Sequence, residues 1–120
     1  MIDKVCKKIG KQDVTVIKGR SFLQLPINYK GEREDTPHVD IADDHFVMLY
    51  YVCDSDGDTI IYNEKFISEK GFTKKIKVTP KQGRVVLFDG ALYHTAQQPN
   101  NNIRCVVNYD LKDLSVDSHI

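Results

Sequence analysis

The 120-residue sequence has no tryptophan, only three cysteines and a formal net charge of zero at pH 7. A neutral chain lacks the excess of lysine and arginine that a general affinity for nucleic acid or anionic membrane requires. Cys6, Cys53 and Cys105 are odd in number and widely spaced, and no CxxC pair occurs. This pattern is typical of reduced thiols and argues against both a disulfide scaffold and a zinc knuckle.

Long apolar stretches are also missing. No run reaches the length of a membrane-spanning helix, and residues 1–10 contain no apolar core of a signal peptide. We therefore expect a soluble protein of the cytoplasm, and the length predicts a single domain over residues 1–120. Residues 1–20 and 70–84 are basic and residues 32–69 are acidic, which we interpret as solvated faces.

Short runs of β-branched and aromatic residues, separated by turn residues, fill most of the chain after residue 10. They predict strands at 14–17, 22–25, 45–53, 59–62, 76–79, 84–88, 92–96 and 103–109. The DSDG turn between the third and fourth of these predicts that the two strands form a hairpin. Helix is scarce, and residues 2–9 predict one or two turns at most. The pattern indicates an all-β sandwich or barrel.

The segment Pro37-His38-Val39-Asp40 carries the first candidate metal ligands. On a strand, residues two apart project from the same face, so His38 and Asp40 would point together. A third ligand, His94, lies on a later predicted strand. Two imidazoles and one carboxylate that leave other coordination positions open form the facial triad of non-haem iron(II) oxygenases. Taken alone, HxD is also compatible with a loop histidine and a turn aspartate.

Arg104 adds a second kind of candidate site residue. It begins a predicted strand ten residues after His94, and alternation places Arg104, Val106 and Asn108 on one face. A guanidinium that points into an apolar barrel is costly unless it is paired. The carboxylate of a ligand would pair with it through two parallel hydrogen bonds.

This ordered set resembles the 2-oxoglutarate- and iron(II)-dependent dioxygenases, in particular the prolyl-4-hydroxylase-like branch and its small phage-encoded relatives. The resemblance runs from about His38 to Tyr109. Four segments match family motifs: the HxD at 38–40, a YYL-type segment at 50–52, a Gly-Gly-Glu/Asp-Thr hairpin echoed at 56–59, and the approach to the distal histidine at 80–88.

The resemblance implies a double-stranded β-helix, the jelly-roll or cupin-like fold. It implies that His38, Asp40 and His94 bind Fe(II) and are the catalytic centre, and that Arg104 and Tyr51 hold the distal carboxylate of the co-substrate 2-oxoglutarate. The implied reaction uses O2, with ascorbate as an auxiliary reductant, hydroxylates an unactivated C–H bond and releases succinate and CO2. The implied substrate is a peptidyl proline first and a small molecule second, in the host cytoplasm if a phage encodes the protein.

Some features depart from the family pattern. Only 37 residues precede His38, whereas members usually carry N-terminal helices that brace one sheet. Arg104 is followed by CVVNY and not by the further arginine of the nucleic-acid demethylases, which disfavours a nucleobase substrate. Asp40 argues against the halogenating variants, in which a small residue frees a site for halide. Two alternatives stay open: a catalytically silent metal- or oxoacid-binding jelly-roll, and a zinc hydrolase that uses the same triad. The sequence gives no oligomeric state.

Other polar motifs receive simpler interpretations. Residues 54–58 resemble a calcium loop, but the glycine stands at the fourth position instead of the sixth, so a turn is preferred. His45 is expected to open a strand and not to bind metal. Tyr29, Asn63 and Asn108 are candidates for polar groups of the ligand pocket, although core or surface positions would suit them equally.

Overall fold

The structure is a computed structural model that describes residues 14–26 and 36–113. Within these residues every regular element is a strand, which confirms the predicted all-β class. The strands are β1 (Val14–Gln24), β2 (Phe46–Tyr51), β3 (Thr59–Tyr62), β4 (Lys74–Val78), β5 (Val85–Asp89), β6 (His94–Ala96) and β7 (Arg104–Asp113). The helix predicted at 2–9 lies outside the described residues. The described part contains no helix of the length and apolarity needed to cross a membrane.

The strands form two sheets. The major sheet has the order β1-β7-β2-β5 and the minor sheet the order β4-β3-β6, and all pairs are antiparallel. Strands that are neighbours in a sheet are often distant in sequence, as β1 and β7 are, which is the topology of a jelly-roll and agrees with the predicted fold.

Alternation along β2 and β7 decides which side chains face the interior. Val47, Leu49 and Tyr51 are buried in one cluster with Val106. Met48 points to the opposite face, where it is fully buried in a separate cluster. On β7 the inward positions are 104, 106, 108 and 110, all buried, and this confirms the alternation predicted for Arg104 and its neighbours. Apart from Val106, the inward face of β7 is therefore polar.

The predicted hairpin between β2 and β3 is wrong, because β3 pairs with β4 and β6 in the other sheet. The DSDG segment crosses from one sheet to the other. Its Asp56 carboxylate accepts hydrogen bonds from the backbone amides of Asn100, Asn101 and Asn102, at 3.0–3.4 Å. Asp56 thus ties this segment to the loop at residues 100–102, and a calcium site is not needed to explain its position.

Gly57 lies at the closest approach in this crossing. A Cβ atom at residue 57 would stand 2.5 Å from the carbonyl oxygen of Gln97 and 3.1 Å from Cδ of Arg104. The glycine therefore allows the crossing segment to pack directly against the side chain of Arg104.

Candidate metal centre

An isolated antiparallel bridge brings the two histidines together. The backbone amide of His38 donates to the carbonyl of His94 and the amide of His94 donates to the carbonyl of His38, each at 3.0 Å. Asp40 follows at a bend before β2. The sequence had suggested that the HVD segment lies on a strand. It is not part of a regular strand, and the single bridge to β6 orients it instead.

The donor atoms of these three side chains converge. Nε2 of His38 and Nε2 of His94 each lie 3.4 Å from Oδ1 of Asp40. Two ligand atoms that each lie about 2.1 Å from one metal ion are roughly 3.0 Å apart when the ligand–metal–ligand angle is a right angle, and roughly 3.4 Å apart in tetrahedral coordination. The spacing of the three donors therefore fits one transition-metal ion.

Hydrogen bonds to the backbone orient both rings for this role. Nδ1 of His38 lies 3.2 Å from the carbonyl oxygen of Thr36, and Nδ1 of His94 lies 3.1 Å from that of Leu92. Because a carbonyl only accepts, each Nδ1 carries the proton, and in the neutral ring each Nε2 presents its lone pair to the centre. This is the usual arrangement around metal-binding histidines, in which a second contact fixes the ring and its tautomer.

Asp40 is held in its charged form. Burial raises the pKa of its carboxyl, but contacts with the ring nitrogens of His38 and His94, when these carry a proton, and with Asp110 and Asn108 outweigh burial and hold that pKa well below its usual range. Burial and the neighbouring Asp40 carboxylate raise the pKa of Asp110 to about 6. Asp40 therefore stays available as a negatively charged ligand.

The three donors line one side of a cavity of about 400 Å³. Its wall also includes Arg104 and Thr59. Apolar side chains cover much of the remaining surface, which is lined by Phe22, Leu23, Val39, Leu49, Ala96 and Val106. A volume of this size accommodates a small organic acid.

Arg104 extends into this cavity from the first position of β7, and its residue is only 5% exposed. Its guanidinium donates to the carbonyl of Gly57 at 3.0 Å, to Oε1 of Gln24 at 3.0 Å and to Oγ1 of Thr59 at 2.7 Å. These three acceptors are neutral and fix the plane of the guanidinium. A carboxylate in the cavity would add a charge-assisted bond to an already oriented donor.

Tyr51 reaches this site through Thr59. Its hydroxyl donates to Oγ1 of Thr59 at 2.7 Å, and its fully buried ring is not part of the cavity wall. Burial raises the pKa of the Tyr51 hydroxyl, so the phenol stays protonated and remains a donor. Since Oγ1 of Thr59 accepts from both Tyr51 and Arg104, its own proton is left to donate towards a ligand. A direct contact from Tyr51 to the co-substrate stays a prediction.

The remaining candidates fall in different places. Asn108 lines the cavity and donates from Nδ2 to Oδ2 of Asp40 at 2.9 Å. Asn63 is exposed and does not line the cavity. Tyr29 lies outside the described residues. Sequence reasoning did not single out Thr59 or Gln24 as site residues. The DGDT motif at residues 56–59 contains Thr59 and could have identified it, whereas no sequence motif pointed to Gln24.

No protein-family model matches the sequence, and no curated protein matches it. Solved structures do match. An oxidoreductase of the 2OG-Fe(II) oxygenase family from Burkholderia pseudomallei has a TM-score of 0.67 at 15% identity, over 91% of this chain and 48% of that one. AviO1 from Streptomyces viridochromogenes Tue57 has a TM-score of 0.66 at 16% identity, over 83% and 51%. The non-heme alpha ketoglutarate dependent epimerase SnoN from nogalamycin biosynthesis has a TM-score of 0.67 at 12% identity, over 91% and 50%.

The chain spans about half the length of these three structures. At such low identities the similarity concerns the arrangement of the strands and not the individual residues. It shows that this chain has the jelly-roll fold found in 2OG-Fe(II) oxygenases.

Proposed function

We propose that the protein is a non-haem iron(II), 2-oxoglutarate-dependent dioxygenase that hydroxylates an unactivated C–H bond. The observation that carries this proposal is that a His/Asp/His donor set and a buried, oriented arginine line the same cavity. A redox metal and a dicarboxylate co-substrate need those two features together. The similarity in fold supports the proposal.

The donor chemistry fits Fe(II). His38, Asp40 and His94 supply two imidazole nitrogens and one carboxylate oxygen, which is the ligand set of non-haem Fe(II) oxygenases and leaves further positions open. A zinc hydrolase would use the same three donors, but it would give no role to Arg104. The arginine therefore favours the oxygenase over the hydrolase.

2-Oxoglutarate has a carboxylate at each end, and the cavity offers a partner for both. The keto acid end is the part that would chelate the metal, and we expect Arg104 and Thr59, which line the same cavity, to receive the distal carboxylate. Bound iron(II) supplies the redox chemistry by which O2, 2-oxoglutarate and a C–H bond become an alcohol, succinate and CO2. The protein contributes position, charge and the exclusion of water.

Two features of the cavity set where the substrate approaches. The side chain of His38 is 54% exposed, whereas those of Asp40 and His94 are nearly buried. The open side of the donor set therefore faces outwards at His38. Arg20 and Phe22 of β1 also line the cavity and are exposed. The guanidinium carbon of Arg20 lies 5.7 Å from the centroid of the Phe22 ring. Leu49 and Val106, both buried, form the inner apolar wall of the cavity.

For the substrate, we propose a proline-containing peptide first, because the sequence resembles the prolyl-4-hydroxylase-like branch. A small molecule is the second candidate, because one of the matching structures is an epimerase from nogalamycin biosynthesis. The neutral charge of the chain disfavours nucleic acid.

Formation of succinate tests this proposal. Protein supplied with Fe(II), 2-oxoglutarate and O2 should release succinate, and a substrate should accelerate the release and gain 16 mass units. His94→Ala should abolish the release, while Arg84→Ala, which changes an exposed arginine outside the cavity wall, should not. If 2-oxoglutarate binds but no succinate forms with proline peptides or small-molecule panels, the catalytically silent jelly-roll is the correct alternative.

A further inference from the structure

A second group of possible ligands lies directly beside the candidate metal centre. His45 precedes β2, Asp110 lies on the inward face of β7, and their donor atoms and one of Asp40 all lie within 4.8 Å of one another. His45 is 5% exposed and Asp110 is 1% exposed. The proposed function uses neither residue, although Asp110 lies in the sheet that supports the candidate metal centre and His45 directly precedes one of its strands.

Two buried polar atoms face each other in this group without a hydrogen bond. Nε2 of His45 and Oδ1 of Asp110 have no hydrogen-bond partner within residues 14–26 and 36–113. They are 3.8 Å apart, which is beyond hydrogen-bond distance. An unpaired polar atom in the interior costs about 1–3 kcal/mol, so two in one place call for an explanation.

The orientation of the His45 ring excludes the simplest explanation, a neutral histidine that donates to Asp110. Nδ1 of His45 lies 2.8 Å from the carbonyl oxygen of Asp43, so the proton of the neutral ring is on Nδ1. Nε2 therefore directs a lone pair at a carboxylate oxygen. The ring packs closely on Gly90, where a Cβ atom would stand 2.2 Å from Nε2, and this contact keeps the ring in place.

We propose that Asp40, His45 and Asp110 bind a second divalent transition-metal ion, and that Asp40 bridges it to the ion held by His38 and His94. A cation removes the repulsion between the two lone pairs. Two ligands about 2.1 Å from one ion can be separated by up to about 4.2 Å, so 3.8 Å is compatible with a shared ion. One imidazole and two carboxylates suit manganese, iron or zinc.

The bridging role of Asp40 follows from its position between the two groups. Its Oδ1 faces the two histidines of the first centre, and its Oδ2 accepts a hydrogen bond from Asn108. Each carboxylate oxygen has two lone pairs, so Oδ2 can keep this bond and also bind an ion. Carboxylate-bridged pairs with metals about 3.5–4 Å apart occur in many two-metal sites. The proposed function needs only the first ion, so the second site goes beyond it.

Titration of the metal-free full chain with Mn2+, followed by electron paramagnetic resonance and by metal analysis after desalting, tests the second site. The wild type should hold two Mn2+ per chain, with the broadened spectrum of an exchange-coupled pair. His45→Gln and Asp110→Asn should each reduce the count to one, with an uncoupled spectrum. The double variant His38→Ala/His94→Ala should also retain one ion, whereas Asp40→Ala should lose both because the two sites share this ligand. The control Asp56→Asn removes a carboxylate outside both sites and should keep two.

The variants separate failure of the second site from failure of the proposed function. A single Mn2+ that His94→Ala abolishes but His45→Gln and Asp110→Asn retain overturns the second site and leaves the proposed function intact. A single ion that survives His38→Ala/His94→Ala and is lost in Asp110→Asn supports the second site and overturns the proposed triad. If the variants do not fold, the wild type decides: a coupled pair supports the inference, and a single uncoupled ion contradicts it.

Discussion

Nδ2 of Asn108 donates a hydrogen bond of 2.9 Å to Oδ2 of Asp40, and this bond joins the major sheet to the segment that carries two of the candidate metal ligands. Asn108 lies in the middle of β7, paired with Arg20 on one side and Leu49 on the other. A central strand position holds its side chain in place. The bond therefore fixes which oxygen of Asp40 faces the two imidazoles.

Replacing Asn108 should weaken metal binding without removing a ligand. Changes to residues that orient a metal ligand commonly lower affinity by about 10–100-fold, so Asn108→Ala should raise the dissociation constant for Mn2+ by roughly that factor. Asn63→Ala, at an exposed asparagine outside the cavity, is the matched control and should have no effect. Competition with a fluorescent chelator measures both constants. Equal affinities in the two variants would show that Asn108 does not position Asp40.

Arg104 should control the affinity for 2-oxoglutarate and leave the metal almost unaffected. A charge-assisted bond contributes roughly 1.5–3 kcal/mol, so Arg104→Ala should raise the dissociation constant of 2-oxoglutarate by about 10–100-fold. Arg104→Lys should be intermediate, because it keeps the charge and loses the planar pair of donors. Isothermal titration of the metal-loaded protein gives these values, with Arg84→Ala as control. Unchanged binding in Arg104→Ala would remove Arg104 from the co-substrate site.

Thr59 should matter more to the co-substrate than Tyr51 does, because its hydroxyl lines the cavity and the phenol lies behind it. Thr59→Val is similar in shape, removes the hydroxyl that accepts from Tyr51 and Arg104, and should weaken 2-oxoglutarate binding by about one hydrogen bond, roughly 0.5–1.5 kcal/mol. Tyr51→Phe should have a smaller effect, and Thr59→Ser should restore binding. A double-mutant cycle on 2-oxoglutarate affinity measures their coupling. Strictly additive effects would show that the two residues act independently.

Gly57 should be sensitive to the smallest substitution. Gly57→Ala places a methyl group against the backbone oxygen of Gln97, and overpacking of this kind costs about 1–3 kcal/mol of folding free energy. Gly19→Ala is the control, since a Cβ atom there meets the ring of Tyr109 at 3.4 Å and the carbonyl oxygen of Asn108 at 4.0 Å, both ordinary contact distances. Urea unfolding of the two variants measures the difference. A Gly57→Ala protein as stable as the wild type would mean that the crossing segment moves aside at little cost.

Local patterns in the sequence predict much of the fold. The strand Thr59–Tyr62 has the bounds predicted from its short apolar run. The alternation along β7 correctly places Arg104 and Asn108 on the inward face. Such patterns work because side chains alternate strictly along a strand, so burial can be read from sequence alone.

What the sequence did not predict depends on contacts between distant residues. The acidic DSDG segment has the composition of a hairpin turn, but its carboxylate binds amides more than forty residues away and the chain crosses between sheets. The contacts of Thr59 with Arg104 and of His45 with Asp110 also join residues that are far apart in the sequence. The spacing of residues identified His38, Asp40 and His94 as candidate ligands, and the structure brings them together. Of the groups that orient them, Asn108 was a candidate from the sequence, whereas the carbonyls of Thr36 and Leu92 were visible only in three dimensions.

The absorption spectrum of the protein with Fe(II) and 2-oxoglutarate, without oxygen, tests the central claim most directly. A chelated complex has a weak charge-transfer band in the visible region that neither component gives with the protein alone. We predict this band for the wild type, its loss in His94→Ala, and its appearance only at higher 2-oxoglutarate concentration in Arg104→Ala. No band in the wild type at saturating Fe(II) and 2-oxoglutarate, or an equal band in His94→Ala, would contradict the proposed centre.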